Sequence, residues 1–383
     1  MKITKLFKEF FESEKSGGLT LMGCTVVSLI FANSAFGDEY HHFFQLQFAD
    51  HSIEHWINDG LMTIFFLLIG LELEREIYQG ELSNIKDALL PIFAAIGGML
   101  VPASIFMFLN YGTPTQSGFG IPMATDIAFA LGILSLLGNR VPTSLKIFLT
   151  ALAVIDDLGA IIIIAIFYTK TLFWSNLFIA MGIFAFLLVL NRLKVRNLIP
   201  YLIGGVAMWY FMLNSGVHAT ITGVLLAFAI PFGNGDEKST SYILQHFLHK
   251  PVAFLILPIF ALANTAIMFS GELGQLLTEN YSLGIVLGLV VGKPVGIFLI
   301  TFLAVTIGLC KLPDDLNWKS IAGVGLLGGI GFTMSIFITL LAFEDSQIIN
   351  NAKLIILFSS LLAGVFGFLA LKSTLNREVL EES

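Results

Sequence analysis

Apolar residues run along this chain in long blocks, each closed by a few polar, glycine or proline residues. The blocks fall near 18–36, 55–73, 88–109, 117–137, 143–168 and 172–191, then near 199–213, 217–231, 243–270, 282–309, 319–342 and 350–371. A helix crossing about 30 Å of hydrocarbon needs roughly 20 residues. Most blocks meet that length, and the seventh and eighth fall short of it. No run of alternating ten-residue strands suggests a barrel, and lipid leaves no water to satisfy open backbone N–H and C=O groups. The pattern therefore predicts an all-α polytopic membrane protein of about 12 transmembrane helices, as one domain over 1–383.

Two stretches stand apart. Residues 1–16 set Lys2, Lys5, Lys8 and Lys15 around a Leu6–Phe7–Phe10–Phe11 face, which predicts a short interfacial amphipathic helix. The text LIFANSAFGD makes a weak cleavage site, so a removed leader is not expected. Within 40–54, FFQLQFADHSI alternates apolar and polar residues around Ala49–Asp50–His51, which predicts a small β-hairpin. His41, His42, His51 and His55 lie on or beside it. Their spacing matches no metal signature, and a wet polar loop is the expectation.

Composition agrees with the lipid phase. Apolar residues make up 56% of the chain and charged residues 12%, with a mean hydropathy of +0.87. So little charge cannot cover a water-facing surface. Seventeen of the 20 Lys and Arg gather on one side of the expected spans, Lys170 and Lys353 fall on the other, and Lys293 lies inside a span. That asymmetry puts both termini in the cytoplasm and the 40–54 hairpin in the periplasm. Cys24 and Cys310 sit far apart in or beside apolar text and read as packing residues. No cofactor motif, metal set or nucleic-acid signature appears.

Charges inside spans carry the chemistry. Asp126 lies mid-way along the fourth block, Asp156 and Asp157 mid-way along the fifth, and Lys293 near the middle of the tenth. Each costs roughly 2.5–3.5 kcal/mol at a helix centre facing lipid, so the four must face one another or a watered cavity. Three carboxylates against one ammonium leave excess negative charge, as a cation site requires, and oxygen ligands suit a hard cation. Carboxylates held close also raise one another's proton affinity. Cations and protons then compete for the same oxygens, which is an exchange mechanism if the site opens to one side at a time. Adjacent Asp156 and Asp157 project about 100° apart on a helix. One is expected to face the cation with Asp126 and the other to pair with Lys293; a pair that merely ties two spans together is the plainer reading. Gly118, Gly120 and Pro122 precede Asp126, and Gly323, Gly325, Gly328, Gly329 and Gly331 punctuate the eleventh block. Two such interruptions predict broken helices whose freed carbonyls and half-helix ends meet an ion.

At these residues the chain resembles the bacterial NhaA-type sodium/proton antiporters, on GIPMATDIAFALGIL, LKIFLTALAVIDDLGAIIII, SGVHATITGVL, GKPVGI and GGIGFTMSIFI in that order. That family is a standing example of inverted-topology repeats. The resemblance implies repeats of spans three to five and ten to twelve, with spans four and eleven interrupted and crossing at the midplane. It assigns Asp157 and Asp126 to cation binding with Thr125 nearby, and Asp156 to Lys293. It implies electrogenic exchange of sodium or lithium for protons in a bacterial inner membrane, by a homodimer joined through the periplasmic hairpin. The family's response to alkaline pH would fall on the cytoplasmic funnel, with Glu72, Glu76 and His218 as candidates and Glu74 added by this chain. GLELEREI has Glu74 where the family tends to carry Lys, and Gln245 stands where it often has an acid. A shifted pH threshold or a weaker response is expected from both departures. Asp59, in WINDGLM, reads as structural.

Three other functions use similar parts. An aspartyl protease of the membrane would carry Gly-x-Gly-Asp text, which neither Asp126 nor Asp157 has. A passive cation channel would not need the Asp–Lys pairing. A cation-coupled symporter of a small organic solute is the stronger alternative, because the same devices bind such solutes.

Overall fold

The computed structural model describes residues 5–49, 51–169, 171–268 and 273–381, and the chain is mostly helical. Helix α1, Lys5–Ala32, is continuous. The expected separate helix over 1–16 is thereby corrected: its described part runs straight into the first span, while residues 1–4 lie outside the described residues. Gly17 and Gly18 do not break the helix. They let it approach Ala253 and Ala128, where a Cβ would lie 2.8 Å from the Ala253 Cβ and 2.2 Å from the Ala128 carbonyl oxygen.

The chain then turns by 113° into α2, Gly37–Gln45. Much of the stretch expected to form a hairpin is therefore helix. Asp38 and Glu39 favour its N-terminal turn. Tyr40 and Phe44, four apart, close one face, with the Tyr40 hydroxyl on Ser28 Oγ and the Leu262 carbonyl. Period-two alternation over FFQ gave way to this helical spacing. A two-residue antiparallel pair follows, β1 (Gln47–Phe48) with β2 (His51–Ser52), in the register Gln47 to Ser52 and Phe48 to His51. Ala49 turns the chain at φ +50°, and Asp50 lies outside the described residues.

Helix α3, Ile53–Tyr78, holds a widened π turn at Trp56–Leu61. After it come α4 (Ile85–Asn110), a 3-10 segment (Gln116–Met123) followed by α5 (Ile127–Ser135), α6 (Thr143–Phe167) and α7 (Trp174–Arg192). The second half contains α8 (Ile199–Leu213), α9 (Ile221–Ala229), α10 (Thr240–Asn264), α11 (Asn280–Thr306), α12 (Trp318–Gly328), α13 (Phe332–Ala342) and α14 (Ser346–Glu381). Among the described residues eight helices are long and apolar enough to cross a membrane, or ten when each sharply bent pair counts as one span. The two remaining expected spans correspond to α8 and α9, which are 15 and 9 residues long. Length and apolarity alone thus give eight to ten spans where the sequence pattern predicts about 12.

Burial separates lining from lipid-facing helices. The most apolar window of α7 is only 11% buried, whereas those of Gln116–Ser135 and α6 are 78% and 72% buried. The interrupted segment and the two-aspartate helix are therefore interior. Helices α4 and α11 close over them through Gly97 and Gly296: a Cβ on either would lie 2.1 Å from the other's carbonyl oxygen. Gly97→Val is expected to lower stability by about 1–3 kcal/mol through overpacking, read as a fall in Tm of the purified protein. An unchanged Tm would show that these helices separate freely.

Candidate functional site

The break in the fourth block has a local cause. Pro122 supplies no N–H, Gly118 and Gly120 loosen the turn before it, and the helix tightens to 3-10 over Gln116–Met123. Ala124 and Asp126 are extended, at ψ 154° and 99°, before α5 begins. On the partner span Gly329–Ile330–Gly331 separates α12 from α13, which bend by 46°. The two breaks touch. The Asp126 N–H donates to the Ile330 carbonyl at 2.7 Å, and the Ser335 hydroxyl donates to the Ile121 carbonyl at 2.6 Å.

Asp126 caps both half-helices at this crossing. Its Oδ1 accepts from the Phe129 N–H at 2.9 Å, in the first turn of α5. Its Oδ2 accepts from the Thr333 N–H at 3.1 Å and the Thr333 hydroxyl at 2.5 Å, in the first turn of α13. A carboxylate is thus placed where two N-terminal helix ends point their unpaired N–H groups and partial positive charge. Asp126→Asn would offer one acceptor and turn an NH2 toward N–H donors. We expect a loss of about 1–2 kcal/mol in stability, together with loss of exchange; wild-type turnover in this variant would remove Asp126 from the site.

Asp156, Asp157 and Lys293 are almost fully buried, none more than 1% exposed. Asp156 Oδ2 lies 2.8 Å from the Lys293 ammonium. Lys293 also donates to the Met123 carbonyl, the last of the 3-10 segment, so a cation sits at that half-helix's negative end. The Thr125 hydroxyl lies 2.8 Å from Asp156 Oδ2 and 2.9 Å from the Gly328 carbonyl, at the end of α12. Asp157 differs from all of these. Both of its carboxylate oxygens, and Asp156 Oδ1, are buried without a hydrogen-bond partner. An unpaired buried carboxylate is expensive, and a bound cation or proton relieves it. The donor set, carboxylate oxygens with hydroxyls and carbonyls at the crossing, fits a hard cation.

The crossing also uses residues that sequence reasoning passed over. Thr333 and Ser335 stand just after the second break, and Ser360 of α14 accepts from the Phe332 N–H at 3.1 Å. Thr333 had a signal: it follows GGIG as Thr125 follows GIPMA, a polar residue on the far side of each break.

Glu72, Glu74 and Glu76 are buried on α3, not spread over an exposed helix end. Glu72 Oε1 lies 3.5 Å from His249 Nδ1, and Glu76 Oε1 lies 3.2 Å from Arg75. Glu74 Oε2 and Gln245 Nε2 are buried without hydrogen-bond partners. His218 does not join this group, which corrects the expected funnel cluster. Gly223 of α9 packs on Thr63 and Phe66, and Gly70 packs on Val224 and Ala227, so the two helices run the same way. His218, preceding α9, therefore lies toward the Asp59 end of α3, far from Glu72; its Nε2 is 2.9 Å from the Tyr168 carbonyl oxygen. Asp59 itself holds His55 at 3.2 Å. His51 and His55 stack at 4.2 Å, and no group of three or more metal-ligating side chains occurs among the described residues. Cys24 and Cys310 are free thiols.

Paired half-helices with buried acids at their crossing, inside a shell of apolar helices, define a multi-pass membrane ion transporter. The chain belongs to the family described as Na+/H+ antiporter 1, whose sequence model matches residues 8–371. It is 74% identical over 381 residues to the Na(+)/H(+) antiporter NhaA of Flavobacterium psychrophilum, covering 100% of this chain and 99% of that relative. NhaA 1 of Flavobacterium johnsoniae is 66% identical over 376 residues, 98% of this chain and 99% of its own. A solved structure, the sodium proton antiporter MjNhaP1 from Methanocaldococcus jannaschii, shares the fold at a TM-score of 0.55 and 17% identity, covering 95% of this chain and 97% of that one.

Proposed function

We propose that this chain, a Na+/H+ antiporter by family, binds Na+ or Li+ between Asp157 and the free edge of Asp156, and releases it when protons return to those carboxylates. The observation that carries this reading is the pair of partnerless Asp157 oxygens in a fully enclosed setting. Asp126 contributes negative charge from the crossing, with its own oxygens already held by three donors. Thr125, on Asp156 and Gly328, positions the Asp156 edge. Lys293 neutralises Asp156 while donating to the Met123 carbonyl, and so leaves Asp157 as the acid with the strongest need of a cation or a proton.

Exchange is electrogenic by this proposal, with more protons entering than sodium leaving. Alternating access moves the crossing between openings on opposite sides of a bacterial inner membrane. Both termini face the cytoplasm, as the Lys and Arg placement suggests. Spans three to five and ten to twelve act as inverted repeats, and the β1–β2 segment joins two copies in a homodimer. Glu72, Glu74, Glu76 and His218 are candidates for setting the working pH, with His218 acting from the opposite end of α3. The organic-solute symporter is not favoured, because the family and its near relatives are all Na+/H+ antiporters by description.

The test is sodium-induced dequenching of a pH dye in everted vesicles. Dequenching on addition of Na+ or Li+, without any organic solute, is the expected result. Proton movement that required an organic solute would overturn the reading.

A further inference from the structure

Half-helix α13 starts at the crossing, and two helices flank it. On one side the Phe66 ring of α3 meets the Phe337 ring of α13, with 5.3 Å between centroids. On the other, Ser360 of α14 accepts from the Phe332 N–H at 3.1 Å. Among the described residues α3 and α14 do not pack along each other's length. An ion pair bridges them nonetheless: the Lys353 ammonium of α14 lies 3.5 Å from Glu54 Oε1, at the start of α3. Lys353 precedes Ser360 by seven residues, which puts both on one face of α14, about 10 Å apart. The pair therefore closes over the outer part of α13, two turns from the crossing.

Its chemistry suits a contact that opens and recloses. The Lys353 side chain is 5% exposed, and that of Glu54, the second residue of its span, is 29% exposed. A buried ammonium needs a counter-charge, so the pair favours the closed arrangement. Glu54 is open enough to take up water when the helices part. Parting also uncovers no broad apolar interface, because α3 and α14 share none among the described residues. Asp156 and Asp157 are no more than 1% exposed, so some contact has to yield before an ion reaches them from this end.

We infer that Glu54 and Lys353 form a clasp that holds the ion pathway shut at this end of α3, and that they part each time the crossing opens there. They are positioning residues, acting through the packing of α3 and α14 around α13. The inference rests on the alternating-access reading above, and adds to it the contact that must break on one side. A pair that only steadied the fold would change stability and leave the two membrane faces alike.

The experiment uses the full chain with its two free thiols removed as C24A/C310A, and E54C/K353C added. A short bifunctional thiosulfonate bridges the new cysteines, and intact mass confirms the bridge. In proteoliposomes bridging should reduce Na+/H+ exchange by about tenfold or more, and a reductant should restore it. Na+ should still raise the Tm of the bridged protein, because the opposite face can open. In a second arm, E54Q/K353M removes both charges and leaves neither buried alone. Its KM for Na+ should fall about fivefold at one membrane face only, as the state open to that face gains population. Everted and right-side-out vesicles give the two faces. The swapped pair E54K/K353E should bring KM back toward the wild-type value. Exchange by the bridged protein at the unbridged rate, or a KM that is unchanged or shifts equally at both faces, would overturn the clasp. A wild type whose Tm does not respond to Na+ would instead count against the exchange reading.

Discussion

Asp157→Asn is expected to reduce Na+-driven proton exchange by about a hundredfold or more, roughly the 3 kcal/mol of one charged ligand contact. The substitution removes one negative charge and one of the two oxygens that have no partner within the protein. Folding should not suffer. Ionised and unpaired, Asp157 is a buried charge that the fold must tolerate, so a neutral amide of the same shape relieves that penalty. The expected signature is therefore loss of exchange with an unchanged or raised Tm in the absence of Na+. Stabilisation by added Na+, which the wild type gains through binding to the folded state, should disappear in the variant. Exchange at wild-type rates would move the cation away from Asp157.

The second large effect is on stability. Lys293→Ala should cost about 3–5 kcal/mol, because it leaves Asp156 as an uncompensated buried charge and strips the Met123 carbonyl of its donor. Adding Asp156→Asn to this variant should recover much of the loss, since the remaining group is neutral. The double-mutant cycle reads the coupling directly. An additive result would mean that the two side chains, 2.8 Å apart, do not act as a pair. Lys293 as a fixed counter-charge also predicts an unchanged reversal potential in whatever exchange the alanine variant retains. A changed potential would make Lys293 a carrier of a transported proton.

Much of this arrangement was legible from residue type and place. Four charges in the middle of apolar blocks are too costly to leave apart, and the structure brings Asp156 and Lys293 into contact. Pro122 and the Gly329–Gly331 break mark where helices stop, because one lacks a donor and the others lack a Cβ. The 100° offset between Asp156 and Asp157 did not say which would meet Lys293. That depends on how α6 is rotated against α11, a tertiary property, and only the family resemblance chose between them.

Other features were hidden for different reasons. Thr333, Ser335 and Ser360 are single small polar residues in apolar helices, and nothing local separates a cap from packing. The 37–45 helix was concealed by two-residue alternation that a 3.6-residue period also fits. The placement of His218 needed the direction in which α9 runs against α3. The double cap on Asp126 required two breaks far apart in sequence to meet, so text around either one could show an acid but not its four contacts.

Proton release on sodium binding tests the central claim most directly. Purified protein in weakly buffered solution with a pH dye should release protons when Na+ is added, at a pH where the site holds them. Asp157→Asn should release fewer or none under the same conditions. Saturable Na+ binding by the wild type with no proton release, measured across the pH range in which exchange operates, would contradict competition for shared carboxylates.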